Sequence, residues 1–285
     1  MFPLTTMFSL ATFHLARPKT TLMKITDNTI LITGGGSGIG RGLAEAFHSL
    51  GNKVIIAGRR KDLLDQTTAG NPGMISVVLD VEKPEAIQTF ALQVVRDHPT
   101  LNVLINNAGI MRPEDLKTLE KSLTDSEATI TTNLLGPIRL TAAFLPHLRK
   151  QSYAAIMNVT SGLGFLPLAM APTYCATKAA LHSYTQSLRY QLRDTALQVL
   201  ELIPPYVQTE LGGARQKNDP NAMPLGEFIA ETMDILKSSP QATEICVERV
   251  KQLRFAESSG HYQKIFTQFN DAITGATSEF ERRPR

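Results

Sequence analysis

The sequence predicts an α/β fold in a single domain: a doubly wound, Rossmann-like parallel sheet. Three observations carry this. From residue 28 onward, short β-branched runs alternate with longer amphipathic or Ala-rich stretches, the pattern of parallel strands joined by crossover helices. A glycine-rich turn, Thr33-Gly34-Gly35-Gly36-Ser37-Gly38-Ile39-Gly40, stands between the first run and the first helical stretch. Polar residues then recur where later runs end, as Asp80-Val81 and Asn106-Asn107-Ala108-Gly109, on the carboxyl edge where open α/β sheets bind ligands.

The elements follow in order. The first strand is 29–33 (TILIT), followed by a helix over 40–50; the second is 53–57 (KVIIA), followed by a helix over 61–67. A third strand at 75–79 (ISVVL) precedes a helix over 84–97, and a fourth at 102–106 (NVLIN) precedes a long helix over 126–147. The fifth strand, 154–160 (AAIMNVT), leads to a helix over 173–194, and the sixth is 198–203 (QVLELI). All six read as buried strands of a sheet covered on both faces. Beyond them the pattern weakens. Helices are expected around 224–236 and 243–256, and 261–266 (HYQKIF) is a weak seventh strand. Residues 212–224, rich in Gly, Asn and Pro, are expected to form a long mobile segment able to close over a ligand.

Composition excludes several classes. With 42% hydrophobic and 19% charged residues the chain is not a disordered one, and two cysteines in 285 residues cannot make a disulfide scaffold. A net charge of +3, scattered rather than clustered, makes neither nucleic acid nor an anionic membrane surface an expected partner. Cys175 and Cys246 lie far apart, which suits a reducing compartment, so a cytoplasmic location is expected. No run of about 18 uncharged apolar residues occurs, so no membrane-spanning helix is expected. Residues 1–22 hold many hydroxyl residues, Arg17 and Lys19 and no acid. They read as a disordered extension or an early start before Met23, with an organelle transit segment as the alternative. The domain is expected over 23–270, and 271–285 as a flexible tail whose Arg282, Arg283 and Arg285 are a solvated end.

The glycine turn carries the first chemistry. Between a strand and a helix, backbone N–H groups converge on a diphosphate, and glycine lets the backbone approach it. The spacing is T-G-x-x-x-G-x-G, from Thr33, Gly34, Gly38 and Gly40, with Ser37 and Ile39 inside the turn; the generic G-x-G-x-x-G is absent. At the end of the second strand, where an acid would hold the ribose hydroxyls of NAD, stand Gly58, Arg59 and Arg60. A guanidinium there pairs with a ribose 2′-phosphate, which favours NADP(H), Arg59 being nearer the strand end; NAD(H) and a merely solvated arginine pair stay open.

The catalytic signal is Tyr174-Cys175-Ala176-Thr177-Lys178, with Ser161 upstream on the loop after the fifth strand. Four residues make about one helical turn, so the phenol and the ammonium share a face. A nearby cation stabilises phenolate, which would let Tyr174 exchange a proton with a carbonyl or alcohol oxygen. Ser161 can hydrogen-bond that same oxygen.

Together these motifs resemble the short-chain dehydrogenase/reductase family in its short form, over roughly residues 24–209. Within it the wording of Gly58-Arg59-Arg60 and Leu253-Arg254-Phe255-Ala256-Glu257 is most similar to bacterial oxidoreductases named from teichoic-acid D-alanylation operons. The resemblance implies a tetrad of Asn133, Ser161, Tyr174 and Lys178: the tyrosine as general acid/base, the serine orienting the substrate oxygen, the lysine binding nicotinamide ribose and lowering the tyrosine pKa, and Asn133 holding a water that links the lysine to solvent. It also implies that Asp80 and Val81 meet the adenine, Asn107 the adenosine ribose side, and Val207 and Thr209 the nicotinamide carboxamide. Two features depart from the family pattern. Pro204-Pro205-Tyr206 replaces the usual Pro-Gly, and no closing strand with a Gly-Gly pair is evident.

The expected pocket wall is apolar: Met111, Leu163, Phe165 and Tyr206, with Leu166 and Met170 nearby. The six histidines form no metal-ligand spacing with one another or with the cysteines, so no metal is expected. Cys175 reads as a small packing residue rather than a redox thiol. The expected function is hydride transfer between NADP(H) and an apolar carbonyl or secondary alcohol; the resemblance implies a homo-oligomer built on the helices carrying Asn133 and Tyr174. The alternative is a catalytically idle NADPH-binding regulator, which would need the glycine loop but not the proton relay.

Overall fold

Covering both faces of a strand makes every residue along it buried, and this is what Thr29–Thr33 shows. The structure, a computed structural model, describes residues 22–118 and 123–281. The expectations for residues 1–21 and for Arg282, Arg283 and Arg285 lie outside the described residues.

In chain order the elements are β1 (Thr29–Thr33), α1 (Gly38–Ser49), β2 (Lys53–Gly58), α2 (Lys61–Ala69), β3 (Ile75–Val78), α3 (Pro84–Asp97), β4 (Val103–Asn106), α4 (Thr124–Ile130), α5 (Gly136–Leu148), β5 (Ala154–Val159), α6 (Pro172–Gln191), β6 (Leu197–Ile203), α7 (Ala214–Asn218), α8 (Leu225–Ser238), β7 (Glu244–Cys246), α9 (Lys251–Arg254) and α10 (Tyr262–Glu281). The seven strands form one sheet in the order β3-β2-β1-β4-β5-β6-β7. Every pairing is parallel. The chain winds outward one way through β2 and β3 and the other way from β4, so a crevice opens at the carboxyl ends of β1 and β4.

Successive residues of a strand point to opposite faces, and the two core layers follow that alternation. Ile30 and Ile32 face α1 and α8 through Leu43, Phe47 and Phe228. Leu31 faces α3 and α5 through Ile87, Phe90, Leu140 and Phe144. Each such side chain, fully buried, contributes about 1.5–3 kcal/mol.

The structure corrects the sequence reading in the C-terminal third. The seventh strand is Glu244–Cys246, inside the stretch expected to be helical, with Leu202 opposite Ile245. Three residues are too few to show a period. The stretch 261–266 instead opens α10, where Ile265, Phe269 and Ile273 recur at helical spacing, and the helix runs to Glu281 through much of the expected tail. The segment 212–224 contains a helix, α7, and is tied at its base by a parallel bridge between Val207 and Met223. The long helix expected over 126–147 is interrupted by a π-helical turn at Thr131–Leu135.

Candidate active site

The crevice is a cleft of about 400 Å³, lined from the glycine loop and Arg59–Arg60 at one end to Ser161, Tyr174 and Lys178 at the other. Gly34 (φ +70°) and Gly38 (φ +52°) adopt the left-handed conformation that glycine favours. A side chain at Gly40 would lie 2.4 Å from both the Gly34 carbonyl oxygen and Asn107 Nδ2, so that helix–strand approach admits no Cβ. The Ser37 side chain, at the N-cap of α1, makes no capping hydrogen bond to the helix, and the first turn holds no acid. The positive end of the helix therefore faces the cleft, a fit to a diphosphate. Asn107 ties this loop to β4: its Nδ2 donates to Thr33 O (2.9 Å) and its backbone N–H to Thr33 Oγ1 (3.1 Å).

The two arginines are held differently. Arg60 Nη2 donates to Ser37 Oγ (2.8 Å), whereas Arg59 Nη1 reaches away to Glu82 Oε1 (2.8 Å). Both line the cleft. Leu79 and Val81 line it as well, but Asp80 does not; its Oδ1 accepts the Glu82 N–H (3.1 Å) and caps the turn into α3.

At the other end, Tyr174 and Lys178 are buried on α6. Lys178 Nζ donates to Val159 O (2.8 Å) and lies 5.6 Å from the centre of the Tyr174 ring. Burial pushes Tyr174 up to about 12 despite a hydrogen bond with Ser161, which lowers it, and the same desolvation pushes Lys178 down to about 8. What lowers the phenol is Ser161 rather than the expected lysine, and burial outweighs it in the protein alone. Ser161 Oγ accepts the Leu163 N–H (3.1 Å), capping a short 3-10 turn.

Asn133 sits within the π-helical turn. Its Oδ1 accepts the Ile110 N–H (2.9 Å), and its Nδ2 donates to Ile110 O (2.8 Å) and Thr177 Oγ1 (3.3 Å). This clamps the loop after β4 onto α6, so the side-chain amide acts on the backbone directly.

Leu211 lines the cleft, whereas the expected wall residues Met111 and Leu163 do not; with Leu168 and Leu211 they pack around Tyr174, Cys175 and Ala171 as an apolar cluster beside it. Phe165 and Tyr206 are not in the cleft wall. Phe165 packs edge-on against His182 (4.6 Å between ring centres), and the half-exposed Tyr206 donates its hydroxyl to Asp219 Oδ2 (3.2 Å). Val207 and Thr209 do line the cleft, held by Gln216, whose Nε2 donates to Val207 O (2.8 Å) and Thr209 Oγ1 (3.1 Å). Glu114 was not foreseen either. Its carboxylate accepts from Thr173 N (3.0 Å), Thr173 Oγ1 (2.8 Å) and Ser126 Oγ (2.8 Å), capping the start of α6 next to Tyr174. Gln216 lay inside the segment expected to close over a ligand; nothing in the local sequence marked Glu114.

Known proteins share this fold. The family described as short chain dehydrogenase matches residues 28–220. The uncharacterized oxidoreductase DltE of Bacillus subtilis is 44% identical over 254 residues, covering 87% of this chain and 98% of that one. A short-chain dehydrogenase of Sphingobium yanoikuyae in complex with NADPH superimposes with a TM-score of 0.71 at 25% identity, over 85% of this chain and 95% of that one. One from Burkholderia phymatum in complex with NAD gives 0.73 at 23% identity, over 85% and 97%.

Proposed function

Because the chain belongs to the short-chain dehydrogenase family, we propose that it is an NADP(H)-dependent carbonyl reductase or alcohol dehydrogenase acting on an apolar substrate, with Tyr174 as general acid/base. The observation that carries this reading is the meeting of Ser161, Tyr174 and Lys178 at one end of a cleft whose other end is an open helix terminus flanked by two arginines. The nicotinamide, when bound, supplies or accepts the hydride.

The protein's own residues handle the proton. A phenol at about 12 is protonated through the neutral range, the form that donates to a carbonyl oxygen. Oxidation of an alcohol needs the phenolate instead, so its rate should rise with pH across the alkaline range while reduction stays flat near neutrality. Ser161 stabilises the developing alkoxide by hydrogen bonding. Arg60 over Ser37, and Arg59 in an exposed and therefore weak pair with Glu82, support NADP(H) over NAD(H). Leu211 in the cleft wall, backed by the apolar packing of Met111 and Leu163 around Tyr174, supports an apolar substrate.

Among the described residues no helix is long and apolar enough to cross a membrane. Both cysteines are free, which supports a cytoplasmic setting. Exposed Leu123, Ile130 and Tyr190, at or on α4 and α6, support self-association through those helices.

The test is oxidation of NADPH and NADH by the purified protein against apolar ketones, diketones and aldehydes. Tyr174→Phe should lower kcat by about 10²–10⁴-fold with NADPH affinity unchanged. NADPH binding without turnover of any substrate would favour the idle regulator, and a preference for NADH would overturn the role given to the arginines.

A further inference from the structure

Behind the Ser161 turn lies a polar chain that the proton relay does not use. Glu201, on β6, is completely buried. Its Oε1 accepts from Thr160 Oγ1 (2.8 Å), and His182 Nδ1 donates to the same carboxylate at 2.8–3.0 Å. Glu244 stands opposite Glu201 on β7, placing two carboxylates on neighbouring strands. Arg254 answers the second with two hydrogen bonds to Glu244 (2.7 and 2.9 Å) and covers the Phe165 ring at 4.4 Å, while His182 packs against that ring. Donor atoms of His182, Glu201 and Glu244 lie within 4.8 Å of one another, close enough to hold a metal ion. Each carboxylate already has partners within the protein, Arg254 on Glu244 and Thr160 with His182 on Glu201.

This network presses on the active-site turn from two sides. Thr160 immediately precedes Ser161, and its N–H donates to Leu202 O (2.9 Å) next to Glu201. A side chain at Gly162 would lie 2.8 Å from Val250 Cγ2 and 2.9 Å from Leu253 Cδ1, so the residues beside Arg254 fit directly under the turn. Leu253 thus sits against the turn itself and Arg254 against the Phe165 ring. Stability alone does not account for such a network, because apolar residues of equal volume commonly stabilise a core as well as a buried ion pair does.

We infer that Glu201, held by Thr160 and His182 and linked through Phe165 to the Arg254–Glu244 pair, is a positioning residue for Ser161, fixing the strand end and turn from which that serine meets the substrate oxygen. The kinetic part of this inference rests on the reaction proposed above; the conformational part does not.

Thr160→Val removes the one hydroxyl joining Glu201 to the strand end at nearly constant size, and Thr160→Ser keeps it. With the full-length protein, kcat for Thr160→Val should fall about tenfold or more, with KM and NADPH Kd within about twofold, and Thr160→Ser should restore it. Amide hydrogen exchange should quicken over residues 160–166 and stay unchanged over 33–40. Unchanged kcat and exchange, a loss that serine does not rescue, or exchange rising equally everywhere would overturn the inference. Should Thr160→Val fail to fold, Arg254→Gln cuts the far end of the chain and carries the same two expectations. If the wild type turns over no substrate, the proposed reaction fails while the exchange result still decides the positioning role.

Discussion

Lys178 is expected to be a liability to the fold that function retains, and replacing it should stabilise the protein while abolishing activity. Its ammonium is buried, and desolvation lowers its pKa from 10.5 to about 8, equivalent to about 3 kcal/mol against the charged form in the folded state. Lys178→Met fills the same space without charge but gives up the hydrogen bond to Val159 O, about 1–2 kcal/mol. The net gain near pH 7 is then about 1–2 kcal/mol, read as a rise of about 2–6 °C in Tm of the cofactor-free protein. The sign of the pH dependence follows from the direction of the shift. A base whose folded pKa is lowered penalises the fold fully below about pH 8, and the penalty fades as pH rises toward the unfolded value of 10.5. The advantage of Lys178→Met should therefore shrink by about 2 kcal/mol between pH 7 and about pH 9.5, ending near zero. Tyr174, raised from 10.0 to about 12, stays protonated in both states over most of that range and does not blur the comparison. Thermal unfolding of both proteins at several pH values is the assay. A variant no more stable than wild type at pH 7, or an advantage that does not shrink with pH, would refute the reasoning.

Three further outcomes are expected. Gly40→Ala places a Cβ 2.4 Å from a backbone oxygen, so the loop must move at a cost of about 1–3 kcal/mol; NADPH affinity in a fluorescence titration should drop by about tenfold or more. Arg60→Ala should weaken NADPH binding by about tenfold or more and leave NADH nearly unaffected, with Arg59→Ala the milder of the two because that side chain is already paired with Glu82. Phe144→Ala empties a fully buried site in edge-to-face contact with Phe90 (6.0 Å, 80°) and should cost about 3–5 kcal/mol, measured as a lower denaturant midpoint with unchanged slope.

What the sequence determined by itself is whatever depends on neighbours along the chain. Buried strands covered on both faces are short continuous apolar runs, so 29–33, 53–57 and 198–203 were legible to within a residue or so. The glycine loop and the Tyr174–Lys178 pair were legible because one turn of loop or helix fixes their geometry. The three-residue β7 was not, since it is a strand only through its pairing with β6. Within the site the same division holds. Phe165 stood at the right place in the sequence, yet it packs between His182 and Arg254. Arg60 on Ser37, Glu114 on Thr173 and Glu201 on Thr160 join residues 23, 59 and 41 positions apart. No local period records such contacts. Tertiary structure also decided the protonation of the site: spacing placed a cation beside the phenol, but burial, which exists only once the sheet and helices close around both groups, raised Tyr174 and lowered Lys178.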